Sequence, residues 1–347
     1  MAEDQAVLFR LNADYRTGYG HLFRSMALAA KAKERGLQPF FLAGPDASGA
    51  AARTLTIAGV KFDQLNPDYT PEDEARTAME FIKSKNIKAA VVDMIHSSKK
   101  LMDTLADNGV KILAVDDEFG NNHRASVIVN AGMFARKEDY AGSAAKLMLG
   151  PEHLMLRGQY SDGAYRDAPR EWRKIFVSFG GSDPERLTVK TLMALEPLKS
   201  EVEVTVMVGD GCLDYAMIES VARRAPFKIE LHRGAKEPWE LMRGASLGIC
   251  TLGNTTWELM SLGAAPVMIT FNDGQSKNAA QIAIRGAGIH FSSTPEFNMA
   301  ALAGLVDELI GDPVKLASMG RTGQSVVDGR GSDRVAEALA GLAGAAK

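Results

Sequence analysis

The chain has 347 residues, 46% of them hydrophobic and 24% charged, with a formal net charge of −3. That is a globular composition, long enough for two domains of ordinary size, and its charge gives no support for a nucleic-acid or polyanionic-membrane partner. Two cysteines, Cys212 and Cys250, cannot build a disulfide framework, so a cytoplasmic location is expected, with no signal segment and no membrane span.

Strands are predicted first at Val7–Leu11, Pro39–Leu42, Ala89–Val92, Lys111–Val115 and Ala125–Val129. Helical periodicity fills the gaps over Leu22–Gly36, Pro71–Lys85 and Lys99–Gly109. A second series of strands runs Ile175–Phe179, Glu203–Val208, Lys228–Leu231, Leu247–Cys250 and Pro266–Ile269. Its helices are expected at Pro184–Leu195, Asp214–Arg224 and Trp239–Gly244. Such alternation predicts an α/β protein of two Rossmann-like, doubly wound parallel-sheet domains, whose ligand crevices would line one central cleft. Gly158–Arg173, rich in Gly, Asp, Arg and Pro, reads as the linker between them. The domains are expected at 1–165 and 166–331, with a helical tail at 332–347.

Gly18-Tyr19-Gly20-His21-Leu22-Phe23-Arg24 joins the first strand to the first helix. Glycines there allow a sharp turn and a close approach to a ligand, and the helix N-terminus suits an anion. His21 adds a group able to exchange protons near neutral pH, and the helix dipole there favours its neutral form. The alternative for His21 is a helix cap. The loop lacks the third glycine of the dinucleotide fingerprint, and no Walker loop is present.

Two further turns enter helices in the second series. Gly180-Gly181-Ser182-Asp183-Pro184-Glu185 carries Pro184 where a first helical turn would hold it, and Ser182 with Glu185 at capping-box spacing. Leu252-Gly253-Asn254-Thr255-Thr256-Trp257-Glu258 offers Gly253 and Asn254 for a left-handed backbone and two threonine hydroxyls at a helix start. Together they read as a phosphate cradle. Glu258 either completes a capping box with Thr255 or grips ribose hydroxyls. No metal is expected: Asp116-Asp117-Glu118 are consecutive, so their side chains diverge, and the histidines lack ligand spacing. His96 is the one other histidine that reads as a site residue, while His232 could line a base pocket or sit on the surface. Trp172 and Trp239 read as packing residues.

These segments, with Leu149-Gly150-Pro151-Glu152-His153-Leu154-Met155-Leu156-Arg157, resemble the PseG/SpsG group over roughly Val7 to Gly288. That group comprises nucleotide-sugar hydrolases of pseudaminic acid biosynthesis and their spore-coat polysaccharide relatives, and it resembles MurG-type glycosyltransferases of GT-B architecture. The resemblance implies a cofactor-free, metal-independent hydrolase that cleaves UDP-2,4-diacetamido-2,4,6-trideoxy-β-L-altropyranose to UDP and free sugar. It makes His21 the base that activates water, with Asp93 and His96 as further catalytic candidates. Gly18, Gly20, Arg24, Gly180, Gly181, Ser182, Asn254, Thr255, Thr256 and Glu258 would hold the nucleotide and diphosphate. Arg10, Asp117, Asn130 and Gln275 would face the sugar.

Two departures bear on the substrate. Asp93, Met94 and Ile95 stand where the group carries Asp-His-Tyr, and Gly274-Gln275 where it carries Asn-Gln. Losing those polar groups removes partners that would fix that particular sugar. A glycosyltransferase on the same scaffold, or a nucleotide-sugar-binding module without catalysis, are the competing readings.

Overall fold

The computed structural model describes residues 5–14, 19–46, 49–117, 119, 123–293 and 298–344. Gly18 and Glu118 lie outside the described residues. The chain divides into two compact units, Met1–Gly158 with Gly329–Lys347, and Gln159–Asp328.

The first unit begins with β1 (Gln5–Leu11), α1 (Gly20–Lys33), β2 (Leu37–Ala43), α2 (Ala50–Ile57) and β3 (Lys61–Gln64). It continues with α3 (Pro71–Ser84), β4 (Ala89–Asp93), α4 (Lys99–Asp107), β5 (Lys111–Val115), β6 (Val127–Asn130) and β7 (Lys146–Leu149). In the second unit, α5 (Gly163–Arg166) leads to β8 (Glu171–Ser178), α6 (Leu187–Leu195), β9 (Glu203–Val208) and α7 (Tyr215–Ala222). Then come β10 (Lys228–Arg233), α8 (Pro238–Met242), β11 (Ala245–Thr251), α9 (Asn254–Ser261), β12 (Ala265–Thr270) and α10 (Asp273–Ile284). β13 (Ile289–Ser293), α11 (Met299–Ile310) and α12 (Pro313–Val326) complete it, and α13 (Gly331–Ala343) returns to the first unit.

Strand order in the first sheet is β3-β2-β1-β4-β5-β6-β7, and every pairing is parallel. Alternate residues of its central strands feed different cores, as the twofold period of a strand requires. Val7, Phe9 and Leu11 of β1 join Ala89 and Val91 of β4 and Leu113 and Val115 of β5 on one face. Ala6, Leu8, Ala90, Val92, Ile112 and Ala114 fill the other. The first face is covered by α1 and by α13, whose Val335, Ala336 and Leu339 are fully buried. The second is covered by α3 and α4, both started by side-chain caps, Thr70 on Asp73 N–H and Ser98 on Leu101 N–H.

The second sheet runs β10-β9-β8-β11-β12-β13, again parallel throughout. Each sheet has one place where the chain order reverses, between β1 and β4 in the first and between β8 and β11 in the second. Crevices at the carboxyl ends of such neighbours are where open α/β sheets bind ligands.

Residues 159–170, read above as linker, are built into the second unit. Tyr160 is fully buried, edge-on to Trp239, and accepts at its carbonyl from Ser261 Oγ. Arg166 donates to Ser261 Oγ and to the carbonyls of Gln324 and Val327. A polar segment can be ordered when its donors meet the orphan carbonyls of helix ends.

Candidate active site

Asp93 ends β4 beside Leu11 of β1, at the reversal point of the first sheet. Its parity places it on the face covered by α1, together with Ala89 and Val91. His21, Arg24 and Ser25 are spaced i, i+3 and i+4 on α1, so they share one helical face, and that face meets Asp93. His21 Nδ1 lies 2.7 Å from Asp93 Oδ1. Arg24 Nε donates to Asp93 Oδ2 at 2.9 Å, its Nη2 donates to Oδ1, and Ser25 Oγ donates to Oδ2 at 2.9 Å. The other arm of Arg24, Nη1, pairs with Asp117 Oδ2 at 2.7 Å.

Asp93 is fully buried, whereas the His21 side chain retains 11% exposure. Burial by itself would raise the Asp93 pKa; the charge of Arg24 and the hydrogen bonds from His21 and Arg24 reverse this and hold it well below the ordinary carboxylate range. Burial likewise opposes the Arg24 charge, but Asp117 and Asp93 outweigh it and raise the guanidinium pKa. The cluster therefore contains a dry, ionised carboxylate aimed at Nδ1 of a histidine. Arg24 Nη2 also lies 3.0 Å from His21 Nδ1, but that guanidinium nitrogen is closer to Asp93 Oδ1, at 2.5 Å, and an imidazole lone pair 2.7 Å from the carboxylate would be repelled. We therefore assign the Nδ1 proton to the bond with Asp93, which leaves Nε2 as the other ring nitrogen. The ring is thus engaged with β4 and not with the end of its own helix, which removes the helix-cap alternative.

Several expected positions change. Arg24, assigned to the diphosphate, is committed to two carboxylates of its own unit. Arg10 lies on the opposite face of β1, fully buried, with Nε on Glu74 Oε1 at 2.6 Å and Nη2 on Tyr69 OH at 3.1 Å. It is an internal ion pair, not a sugar contact, because one residue of strand parity separates it from the α1 face. Asn130 is buried, donates to Tyr140 OH at 2.9 Å and accepts from Gly132 N–H, so its amide braces the loop after β6. His96 is exposed and takes no part in the Asp93 cluster. Asp117 stays half-exposed beside Arg24, and Gly20 opens α1. Ser25 was not anticipated; its only sequence signal is the i+4 spacing from His21.

In the second unit the Gly180–Ser182 turn does not run straight into a helix. α6 starts at Leu187, after left-handed residues at Gly180, Asp183 and Arg186. The Asp183 carboxylate accepts from Leu187 N–H and Thr188 N–H, each at 2.8 Å. A carboxylate with two oxygens takes two orphan amides where the expected serine would take one, so the Ser182–Glu185 box does not form and those amides of α6 are filled. The turn is met closely by Gly209, where a Cβ would stand 2.3 Å from Gly181 O. The two loops after β8 and β9 thus meet backbone to backbone.

α9 has a different start. Gly253 is extended (φ −175°) and Asn254 opens the helix, so neither is left-handed, and no side-chain cap is present among the described residues. Thr255 lies inside the helix and is not its cap, so the Thr255–Glu258 capping box is absent. Thr256 is buried and donates its hydroxyl to Thr251 O at 3.0 Å, leaving Asn254 and Thr255 as the partly exposed polar groups of the first turn. Glu258 is 7% exposed. Gln275 braces the approach to α9 by donating to Leu252 O at 2.9 Å, while its Oε1 accepts from Phe271 N–H. Its amide therefore holds two loops at the carboxyl ends of β11 and β12. Cys250 is buried beside Thr256 and Cys212 is also a free, buried thiol. Burial pushes the Cys250 thiol up to about 12, so it stays protonated.

No helix among the described residues is long and apolar enough to cross a membrane. No protein-family model matches the chain. The spore coat polysaccharide biosynthesis protein SpsG of Bacillus subtilis is 23% identical over 336 residues, covering 94% of this chain and 96% of that protein. The UDP-2,4-diacetamido-2,4,6-trideoxy-beta-L-altropyranose hydrolase of Campylobacter jejuni is 24% identical over 201 residues, 56% of this chain and 66% of that one. Among solved structures, MurG of Acinetobacter baumannii superimposes with a TM-score of 0.72 at 17% identity, covering 96% of this chain and 99% of MurG. With two parallel sheets in the order found here, the chain has the GT-B architecture, and its sequence is similar to members of the PseG/SpsG group.

Proposed function

We propose that the protein is a nucleotide-sugar hydrolase of surface-polysaccharide or nonulosonic acid biosynthesis, in which His21 activates water for attack at the anomeric carbon of a UDP-linked diacetamido-trideoxyhexose. The observation that carries this reading is the His21–Asp93 pair at the reversal point of the first sheet. His21 Nε2 takes a proton from water as its oxygen bonds to the anomeric carbon. The bond from that carbon to the diphosphate oxygen breaks, and its electron pair leaves with UDP. Asp93 acts as a positioning residue, holding the ring and stabilising the imidazolium that forms.

The start of α9 supports the nucleotide side of the proposal, because backbone amides and the positive helix end favour a diphosphate and its growing charge. Asn254 and Thr255 are the polar side chains for that task, and Glu258 is the group for the ribose hydroxyls. The named activity of the Campylobacter jejuni relative points to the same substrate class.

Glycosyl transfer to an acceptor hydroxyl is the second reading. It is favoured by Ile95, an apolar side chain 36% exposed just after Asp93, where the hydrolases of the group are expected to carry a tyrosine. One experiment separates the two. The protein is incubated with a panel of UDP- and other nucleotide-sugars in ¹⁸O-water without acceptor, and nucleotide and free sugar are measured. Hydrolysis gives both in equal amounts, with no label in the UDP phosphates. Release only when an alcohol acceptor is added supports transfer, and UDP binding without any turnover would reduce the protein to a binding module.

A further inference from the structure

We propose that Arg24 is the positioning residue of the dyad: its guanidinium fork, with Ser25, holds the Asp93 carboxylate so that His21 keeps its proton on Nδ1 and presents Nε2. The inference rests on the reading of His21 as a base, and it gives Arg24 a task different from gripping phosphate. Three features of the geometry point to it.

Asp93 has no exposure, and a carboxylate stripped of water is ionised only if something else supplies the charge. Arg24 supplies it through Nε and Nη2, which face both carboxylate oxygens, and Ser25 Oγ adds a third donor. A planar fork fixes the plane of a carboxylate as a lysine ammonium cannot, and so fixes which oxygen faces the imidazole. That oxygen is Oδ1, the partner of His21 Nδ1.

The far side of the guanidinium is tied down as well. Nη1 pairs with Asp117, which follows β5, so Arg24 links the ends of two adjacent strands to the first turns of α1. Every arm that could reach a phosphate is committed inside the unit. The i, i+3, i+4 spacing of His21, Arg24 and Ser25 means that one helical face carries the base and the two donors that set its partner.

The test reads the ring directly. Long-range ¹H–¹⁵N correlation on ¹⁵N-labelled protein is expected to show a single neutral tautomer for His21, protonated at Nδ1. In Arg24→Met the Nδ1–H form should give way to a mixture or to the Nε2–H form, and kcat should fall at least about tenfold with KM within about twofold. Arg24→Lys retains a charge opposite Asp93, and it is read by the same spectrum if Arg24→Met does not fold. A folded variant that keeps the Nδ1–H tautomer overturns the proposal. So does a loss that falls on KM or UDP affinity instead of kcat, which would return Arg24 to the phosphates. The spectrum needs no substrate, so this inference can fail or stand apart from the hydrolase reading.

Discussion

His21 Nδ1 and Asp93 Oδ1 are 2.7 Å apart although 72 residues separate them in the chain. The fold closes that distance with two regular devices. β1 and β4 are neighbours with Leu11 in register with Asp93, and α1 follows β1 back over the face to which Asp93 points. A histidine in the first turn of α1 and a carboxylate at the last position of β4 then have to meet.

Acid should act on this cluster in a defined direction. The folded Asp93 pKa is depressed below its ordinary value of about 3.9. Its ionised form therefore contributes stability that is complete above that value and is lost as the pH falls through the depressed folded value. Below about pH 4 the unfolding free energy of the parent should drop more steeply than that of Asp93→Asn, by up to about 1.4 kcal/mol per pH unit. At neutral pH Asp93→Asn should be the less stable of the two, because it leaves Arg24 with less compensation. Parallel acid profiles for the two proteins would show that Asp93 is not held ionised by the fold.

The Arg10–Glu74 pair is a structural counterpart on the opposite face of β1. Both side chains are almost wholly buried, and Ser98 Oγ also donates to Glu74 at 2.8 Å. Glu74→Ala strands a buried guanidinium and should cost about 3–5 kcal/mol in urea unfolding, while the double change Arg10→Met with Glu74→Leu should recover most of it. A Glu74→Ala loss below about 1 kcal/mol would contradict the pairing.

Much of this was legible in the chain, and the failures have local causes. Alternation of strand and helix, with apolar runs such as Ala89–Val92, announces a parallel sheet because both of its faces are buried. The sequence pattern does not announce β3, β7 or β13: β3 and β7 are four-residue strands with lysine at the first position, β3 shows no fully buried residue, and β13 is a five-residue strand with His290, Ser292 and Ser293 among its residues. Placing Arg10 needed strand parity, which a motif does not convey. At the start of α6, Pro184 and Ser182 imitate a cap, whereas the Asp183 carboxylate between them takes the amides of Leu187 and Thr188. His21 stood out by its glycine loop; Arg24 and Ser25 acquire their meaning only from a carboxylate 68 or 69 residues away.

Two glycine substitutions should separate a backbone contact from an open position. Gly209→Ala would drive a Cβ to 2.3 Å from the Gly181 carbonyl. The loops after β8 and β9 would have to part, at a cost of about 1–3 kcal/mol. Gly253→Ala meets open space at an extended backbone, so its stability should stay within about 0.5 kcal/mol of the parent. Equal effects from the two would remove the backbone contact as the reason for glycine at 209.

Turnover should not depend on a divalent ion. Asp117, the exposed carboxylate nearest the dyad's arginine, is already paired with Arg24 at 2.7 Å, so a cation there would have to break that bond. Dialysis against a chelator should leave the rate within about twofold. Abolition by the chelator with recovery on adding Mg²⁺ or Mn²⁺ would make Asp117 and Asp116 ligands instead.

The role of His21 as base is tested most directly by comparing UDP release from the UDP-diacetamido-trideoxyhexose by the parent and by His21→Asn, with UDP affinity measured on both by calorimetry. Removing a general base typically costs about 10²- to 10⁴-fold in rate, so His21→Asn should lose at least about 10²-fold while its UDP affinity remains close to the parent's. Turnover by His21→Asn within a few-fold of the parent would contradict the claim, and the proton would have to go to another group.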